Sequence, residues 1–290
     1  YTGWYTLSLH DALPILFTVV LEHFQTDTAD YADYVLPATT QLEHWDVHLS
    51  YGHTDVLLNR PAIAPVGEAK PNTEIFRELA LRMQFNEACF REDDLSLCRT
   101  AYGTQVDFEK LLNQGFASLQ VPEAPFSHGN FPTLSGKCEF FSARLAGEGK
   151  DGLPDHVPNY EAFGTSAHFP LAMISPPARN FLNSTFVNVT SLRDIEGEPL
   201  LEIHAQDAQT RGIQSGSIVR VYNLRGEYRC RVQISRRARA GVVVGLGIWW
   251  RKLGMDGKNV NEVTSQRLTD MGRAPTFYDC LVEVEAISKD

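Results

Sequence analysis

The stretch from Leu16 to Glu43 limits the possible folds more than any other. Leu16 to Leu21 (LFTVVL) is a short, β-branched apolar run of the kind that makes a strand buried on both faces of a parallel sheet. Beyond it, Thr26, Asp27 or Thr28 can cap a helix through Ala29 to Asp33, and Tyr34 to Leu36 re-enters as a strand that Pro37 stops. Strand, helix and strand in that order make a βαβ unit, and parallel sheets bind ligands in the crevice outside the carboxyl ends of their strands. Glu22 to Thr28 is therefore the first place to expect a nucleotide contact, with Glu22 and Thr28 as its candidates. An α/β connection that binds nothing gives the same pattern.

Pro71 to Phe85 reads as a helix, capped by Asn72 or Thr73, with Ile75, Phe76, Leu79, Ala80 and Met83 as its core stripe. Residues 115–168 are rich in Pro and Gly and read as an irregular connector, with one short strand at Gly136 to Phe141. From residue 169 the pattern changes to alternation. Leu171 to Ser175, Leu200 to His204, Ile218 to Tyr222, Tyr228 to Ile234, Gly241 to Leu246 and Phe277 to Glu285 read as short strands, which suggests a closed barrel. Ala205 to Arg211 reads as a helix that Gly212 ends, with Asp207 supporting it, and residues 223–226 (NLRG) as a hairpin turn.

Two phrases point to a family. TDTADYADYVLPATTQLE from Thr26, with NRPAIAPVGEAKPNTEIF from Asn59, resembles the molybdopterin oxidoreductase (dimethyl sulfoxide reductase) family. PLLEIHAQDAQTRGIQSGSIVRVYNLRGEYRCRVQIS from Pro199 is similar to the dinucleotide-binding barrel that closes those enzymes. The resemblance implies the end of a Rossmann-like α/β domain over residues 16–114, followed by a double-psi-type β-barrel over 169–290. It further implies a carboxyl-terminal piece of a longer enzyme, in which missing N-terminal domains carry the molybdenum ligand and a 4Fe-4S cluster. The complete enzyme would hold a molybdenum bis(molybdopterin guanine dinucleotide), act on a small-molecule substrate in a two-electron step, and pass electrons to a partner. This piece alone would be inactive. Nitrate, formate, sulfoxides and sulfur oxyanions all stay open as substrates, and the VLPATTQLE phrase suggests a cytoplasmic enzyme. The alternative is a stand-alone nucleotide- or partner-binding module without redox chemistry.

The candidate cofactor residues follow from the residues and the resemblance together. SPPARNFLNSTF from Ser175 is an irregular loop of small polar groups after the first barrel strand. Such groups can match the donors and acceptors of a buried pyranopterin without adding unpaired charge, and Arg179 adds a guanidinium fork for a phosphate or pterin oxygen. In the family the corresponding loop approaches the molybdopterin, which carries the role onto Ser175, Arg179, Asn183, Ser184 and Thr185. A second carry-over falls on Asn261, in an N-x-x-T phrase with Thr264, and on Thr276 and Phe277, where many relatives have a basic residue instead. Trp249 and Trp250 read as core in preference to cofactor stacking. A polar surface loop is the competing reading of residues 175–186.

Composition removes other classes. The net charge of −10 argues against a nucleic-acid partner, which needs a basic face. Arg229 to Gly241 is a basic exception that reads as a solvated strand face and turn, with a docking patch as the alternative. The five cysteines form no C-x-x-C pair and so have neither zinc nor iron-sulfur spacing. His44, His48 and His53 lie near Glu43, Asp46 and Asp55, yet read as structural hydrogen-bonding groups in preference to metal ligands. No run is long enough to span a membrane. The first fifteen residues, YTGWYTLSLHDALPI, resemble translated sequencing-adapter sequence and carry no weight for the fold, so His10 and Asp11 have no chemical role.

Overall fold

The computed structural model describes residues 16–153 and 155–287, so the adapter-like stretch 1–15 lies outside it. The chain divides into two compact units, one through Leu153 and one beyond it.

In the first unit, β1 (Val19–Glu22) and β2 (Tyr34–Pro37) pair in parallel, with Val19 opposite Tyr34 and Glu22 opposite Pro37. The expected helix through Asp33 is only a 3₁₀ turn, Ala29–Tyr31. The ladder claims the chain early, since Asp33 N and Tyr34 N both donate to Thr18 O, at 2.9 and 3.2 Å. Val19, Tyr34 and Val35 are exposed, so among the described residues these strands are not covered on both faces, and they form a two-stranded sheet by themselves. A separate antiparallel sheet joins β3 (Asp46–Leu49), β4 (Asp55–Asn59) and β5 (Phe116–Ser118).

The helices of this unit are α1 (Asn72–Arg82), α2 (Asp94–Thr100), α3 (Phe108–Gln114) and α4 (Ala143–Gly147). Asp93 caps α2 by accepting from Ser96 N, Asp107 caps α3 by accepting from Lys110 N, and Gly115 ends α3 at φ 84°. Val56, Cys98, Phe108, Leu111 and Ala117 form the core between α2, α3 and the sheet. Two expectations for α1 need correction. Pro71, not Asn72 or Thr73, stands at its N-cap, because Thr73 Oγ1 donates instead to Asp94 Oδ1. Of its apolar stripe only Ile75 and Ala80 are buried, while Phe76, Leu79 and Met83 are exposed. The strand expected at residues 136–141 does not form either; the stretch is bends and irregular backbone with no partner strand among the described residues.

In the second unit, β6 (Leu171–Ile174), β7 (Leu200–Ile203), β8 (Ile218–Tyr222), β9 (Glu227–Ile234), β10 (Val242–Leu246) and β11 (Leu281–Ala286) close a barrel in the order β10-β6-β11-β8-β9-β7. Two contacts, β6 with β10 and β7 with β9, are parallel, and the other four are antiparallel. Alternation explains the interior: Leu171, Met173, Leu201, Ile203, Val219, Val221, Tyr228, Cys230, Val232, Val243, Val282 and Val284 fill it. α5 (Thr190–Glu196) and α6 (Ala205–Thr210) lie in the connections. Gly212 follows α6 at φ 64°, and Asp207 Oδ2 accepts from Gly241 N at 2.8 Å, tying the helix to the entry of β10. Strand β11 starts later than the alternation suggested, since residues 277–280 are a turn in which Asp279 N donates to Thr276 O.

Candidate functional site

Strand directions decide where the candidate residues gather. β6 is parallel to β10 and antiparallel to β11, β11 and β9 are antiparallel to β8, and β7 is antiparallel to β10. The carboxyl ends of β6, β8 and β10 and the amino ends of β7, β9 and β11 therefore share one end of the barrel. Three connections leave that end: residues 175–199, 223–226 and 247–280. They carry Ser175, Arg179, Asn183, Ser184, Thr185, Asn261, Thr276 and Phe277. The basic run of β9 and the turn after it lies mainly toward the opposite end, where Arg237 pairs with the buried Glu202, while Arg231 pairs with Glu198.

The first connection is a shaped loop. Ser175 is buried directly after β6, and Gly247 N donates to Pro176 O at 3.0 Å. Ala178, Phe181, Val187 and Trp249 form a small core beneath it, with Phe181 and Trp249 edge to face at 5.2 Å. Asn180 donates from its backbone N and from Nδ2 to Glu196 Oε1, at 2.8 and 2.7 Å. At the tip, Leu182 and Thr185 exchange backbone hydrogen bonds at 3.2 and 2.9 Å, which leaves Asn183 and Ser184 as a two-residue turn with Asn183 at φ 53°. Arg179, Asn183, Ser184 and Thr185 are exposed, and their side chains make no hydrogen bond to another described residue. They offer two hydroxyls, an amide and a guanidinium to solvent.

The third connection is built differently. Asn259 accepts from Asn261 N and donates through Nδ2 to Trp249 O, which sets a 3₁₀ turn, Val260–Glu262, with Asn261 exposed and Thr264 Oγ1 bonded to Asn261 O. Thr276 is buried, its hydroxyl 2.8 Å from Arg267 O and 3.2 Å from Ser265 Oγ, so it holds the strand-like excursion 265–276 together. Phe277 is exposed, edge to face with Tyr278. Glu22 and Thr28 sit in the other unit. Glu22 accepts from its neighbour His23 N, and Thr28 stands before the 3₁₀ turn without a side-chain cap, which Thr26 Oγ1 supplies to Ala29 N.

Three features of the barrel end escaped the sequence reading. Arg225, on the 223–226 turn, donates Nε to Val263 O and pairs with Glu161, which also accepts from Leu281 N at 2.8 Å. Burial pushes the Glu161 carboxyl up, but Arg225 and the Leu281 N–H outweigh it and hold the group below its ordinary 4.5. Nothing local signals a pair 64 residues apart. Asp256 lies between Gly254 and Gly257, and its Oδ1 is buried with no partner among the described residues. The indole N–H of Trp250 donates to Ser184 O at 2.8 Å. Near β3, Glu43 is buried and accepts from Thr40 N, Thr40 Oγ1 and Val66 N. His44 Nδ1 lies 2.9 Å from Thr39 Oγ1, so this acid and histidine tie loops together.

A barrel whose loops gather polar residues at one end matches a class of cofactor-holding domain. Residues 171–281 match the Molydopterin dinucleotide binding domain, and residues 8–82 match the Molybdopterin oxidoreductase domain, a match that begins inside the stretch read as adapter-like. The chain belongs to the molybdopterin oxidoreductase family. It is 37% identical to the probable oxidoreductase YoaE of Bacillus subtilis over 94% of this chain and 40% of that protein. It is 29% identical to the dimethyl sulfoxide reductase DmsA of Escherichia coli over 93% of this chain and 38% of that one. Biotin sulfoxide reductase of Cereibacter sphaeroides is 28% identical over 94% and 41%. The chain thus spans about two fifths of the length of the curated relatives it matches. In fold it is similar to acetylene hydratase from Pelobacter acetylenicus, with a TM-score of 0.78 over 93% of this chain and 40% of that one, at 24% identity. No helix among the described residues is long and apolar enough to cross a membrane.

Proposed function

We propose that this chain supplies part of the cradle for a molybdenum bis(molybdopterin guanine dinucleotide) in an oxidoreductase that works on a small molecule. The observation that carries the reading is the gathering of the polar candidates on connections that leave one end of a closed barrel. The residues present suit such a group: the 175–187 loop offers unengaged Arg179, Asn183, Ser184 and Thr185, and Asp256 keeps a buried carboxylate oxygen without a partner. Arg179 would hold a phosphate or pterin oxygen, Asn183, Ser184 and Thr185 would match ring donors and acceptors, and Asn261 would add an amide from the third connection. Ser175, Thr276 and Phe277 would shape the wall beside them. Glu22 and Thr28, on the parallel strand pair of the first unit, read as the end of a Rossmann-like domain, are candidates for a nucleotide contact made by that unit itself.

When bound, the molybdenum centre would supply two-electron redox chemistry, commonly with transfer of one oxygen atom. The chain's residues orient the pterin and exclude water from it. The family relatives named for dimethyl sulfoxide and biotin sulfoxide favour a small S-oxide as the whole enzyme's substrate. In this reading the barrel, with its two parallel contacts, is of the double-psi type, a 4Fe-4S cluster and the molybdenum ligand belong to further polypeptide, this chain alone does not turn over, and the enzyme is cytoplasmic.

The test is retention of the cofactor. Molybdopterin guanine dinucleotide released from a denatured family enzyme is mixed with the purified 290-residue chain, passed over a sizing column, and assayed by the fluorescence of its oxidised pterin. We expect pterin to co-elute with the chain and the Arg179→Ala variant to retain about a fifth as much or less, in line with loss of a charge-assisted contact. A wild-type chain that retains none overturns the proposal.

A further inference from the structure

The tip of the polar loop holds an unusual backbone. Asn183 lies at φ 53° and Phe186 at φ 75°, and a bulky side chain at positive φ is an uncommon and costly arrangement that survives only where its surroundings impose it. The fold provides one such restraint from outside the loop. Trp250 Nε1–H donates to Ser184 O at 2.8 Å, reaching the middle of the two-residue turn. Trp250 is itself fixed by the chain on either side of it. Trp249 is buried against Phe181, at the base of the same loop, and Asn259 Nδ2 holds Trp249 O at 2.8 Å. Lys252 Nζ lies 5.4 Å from the Trp250 ring centroid.

We infer that Trp250 is a positioning residue for the cofactor loop, acting through its indole N–H on the Asn183–Ser184 turn. The inference rests on the cofactor reading above and assigns a role that the core reading of the twin tryptophans does not contain. Trp249 anchors and Trp250 aims. An oriented Ser184 carbonyl fixes the direction of the peptide planes around it, and with them the side chains of Asn183, Ser184 and Thr185. Presetting those groups removes an ordering cost that a ligand would otherwise meet on binding.

Two substitutions in the full chain separate the N–H from the ring. Trp250→Phe removes the donor and shrinks the ring, whereas β-(3-benzothienyl)alanine at position 250 keeps the indole shape and replaces only the N–H by sulfur. Two readouts follow: hydrogen exchange of the Thr185 amide, which donates to Leu182 O at the tip, and affinity for the probe 6-hydroxymethylpterin by its fluorescence. Both variants should exchange at Thr185 about five- to tenfold faster, as loss of one net hydrogen bond implies, and bind the pterin about fivefold more weakly. Unchanged exchange in both variants overturns the inference. So does a change in Trp250→Phe that the benzothienyl isostere does not share, because packing would then be the cause. Faster exchange in both variants, with no pterin bound by the wild-type chain or by either variant, overturns the cofactor reading and leaves the Trp250 tether as purely structural.

Discussion

Gly247 shows how much one residue at the barrel end must satisfy. It sits at φ 74°, its N–H reaches Pro176 O, and a Cβ built on it would stand 3.1 Å from Ala178 Cβ and 3.3 Å from Phe181 Cδ2. Gly247→Ala should cost about 2 kcal/mol in urea unfolding, from left-handed strain plus pressure on the loop's small core. The loss should appear together with a change in Trp249 emission, since Phe181 packs on that ring. Glu43 makes a pH prediction of opposite character. The Thr40 backbone N–H, its hydroxyl and the Val66 N–H hold the carboxyl below its ordinary 4.5. A group depressed on folding contributes stability above its unfolded value, and that contribution fades as pH falls through the folded value. Glu43→Gln should therefore unfold more easily than wild type at pH 7, with the gap closing below about pH 4. A gap that does not narrow at all between pH 7 and pH 3 would assign the loss to packing instead of charge. Sequence exposed the Glu43 environment in part, because an acid three residues after Thr40 is a local pattern. It could not expose Gly247, whose neighbour Ala178 lies far away along the chain.

At the scale of elements, legibility followed partnership. Ile218–Tyr222 and its hairpin with β9 were visible because alternation, a turn and a second alternating run came in sequence, and Asn223 N does bond Gly226 O at 3.0 Å. Residues 136–141 alternate as well, yet among the described residues no strand lies beside them, and a backbone without a partner does not become a strand. The crossover between β1 and β2 failed for another reason. Only residues 23–33 separate the strands, and the ladder consumes the end of that stretch, leaving room for one 3₁₀ turn. The polar loop was legible in composition, but the bonds that shape it, from Gly247 and Trp250, come from another connection. The 223–226 turn depends on a similar long-range tie. Arg225 joins Glu161 and Val263 O, and removing the cation leaves a carboxylate that is only about a quarter exposed. Arg225→Ala should destabilise the barrel by about 2 to 3 kcal/mol after allowance for solvent at the pair, and Glu161→Gln by less, because it leaves no unpaired carboxylate. A loss in Arg225→Ala with none in Glu161→Gln would mean that the Val263 bond, not the ion pair, matters.

Across the whole molecule the two units differ in how completely they close. The barrel has no free edge, and its interior side chains are almost wholly buried. The first unit has a two-stranded sheet with exposed Val19, Tyr34 and Val35, a helix with Phe76, Leu79 and Met83 exposed, and a smaller core around Leu111. Less apolar area leaves water in that unit per residue ordered, so its opening should come first. The cysteines report this directly. Cys89 and Cys138 are exposed, whereas Cys98 is buried in the first unit and Cys230 and Cys280 in the barrel, with burial pushing those three thiols to about 11, about 12 and about 11. In native buffer at pH 8, two of the five thiols should react quickly with an aromatic disulfide reagent, and the other three should react only through opening. Along a urea series, mass mapping should find Cys98 labelled at a lower concentration than Cys230 and Cys280, which should appear together. Labelling of all three at one concentration would mean that the units unfold as one cooperative body, and that the open faces of the first unit cost it less than their exposure implies.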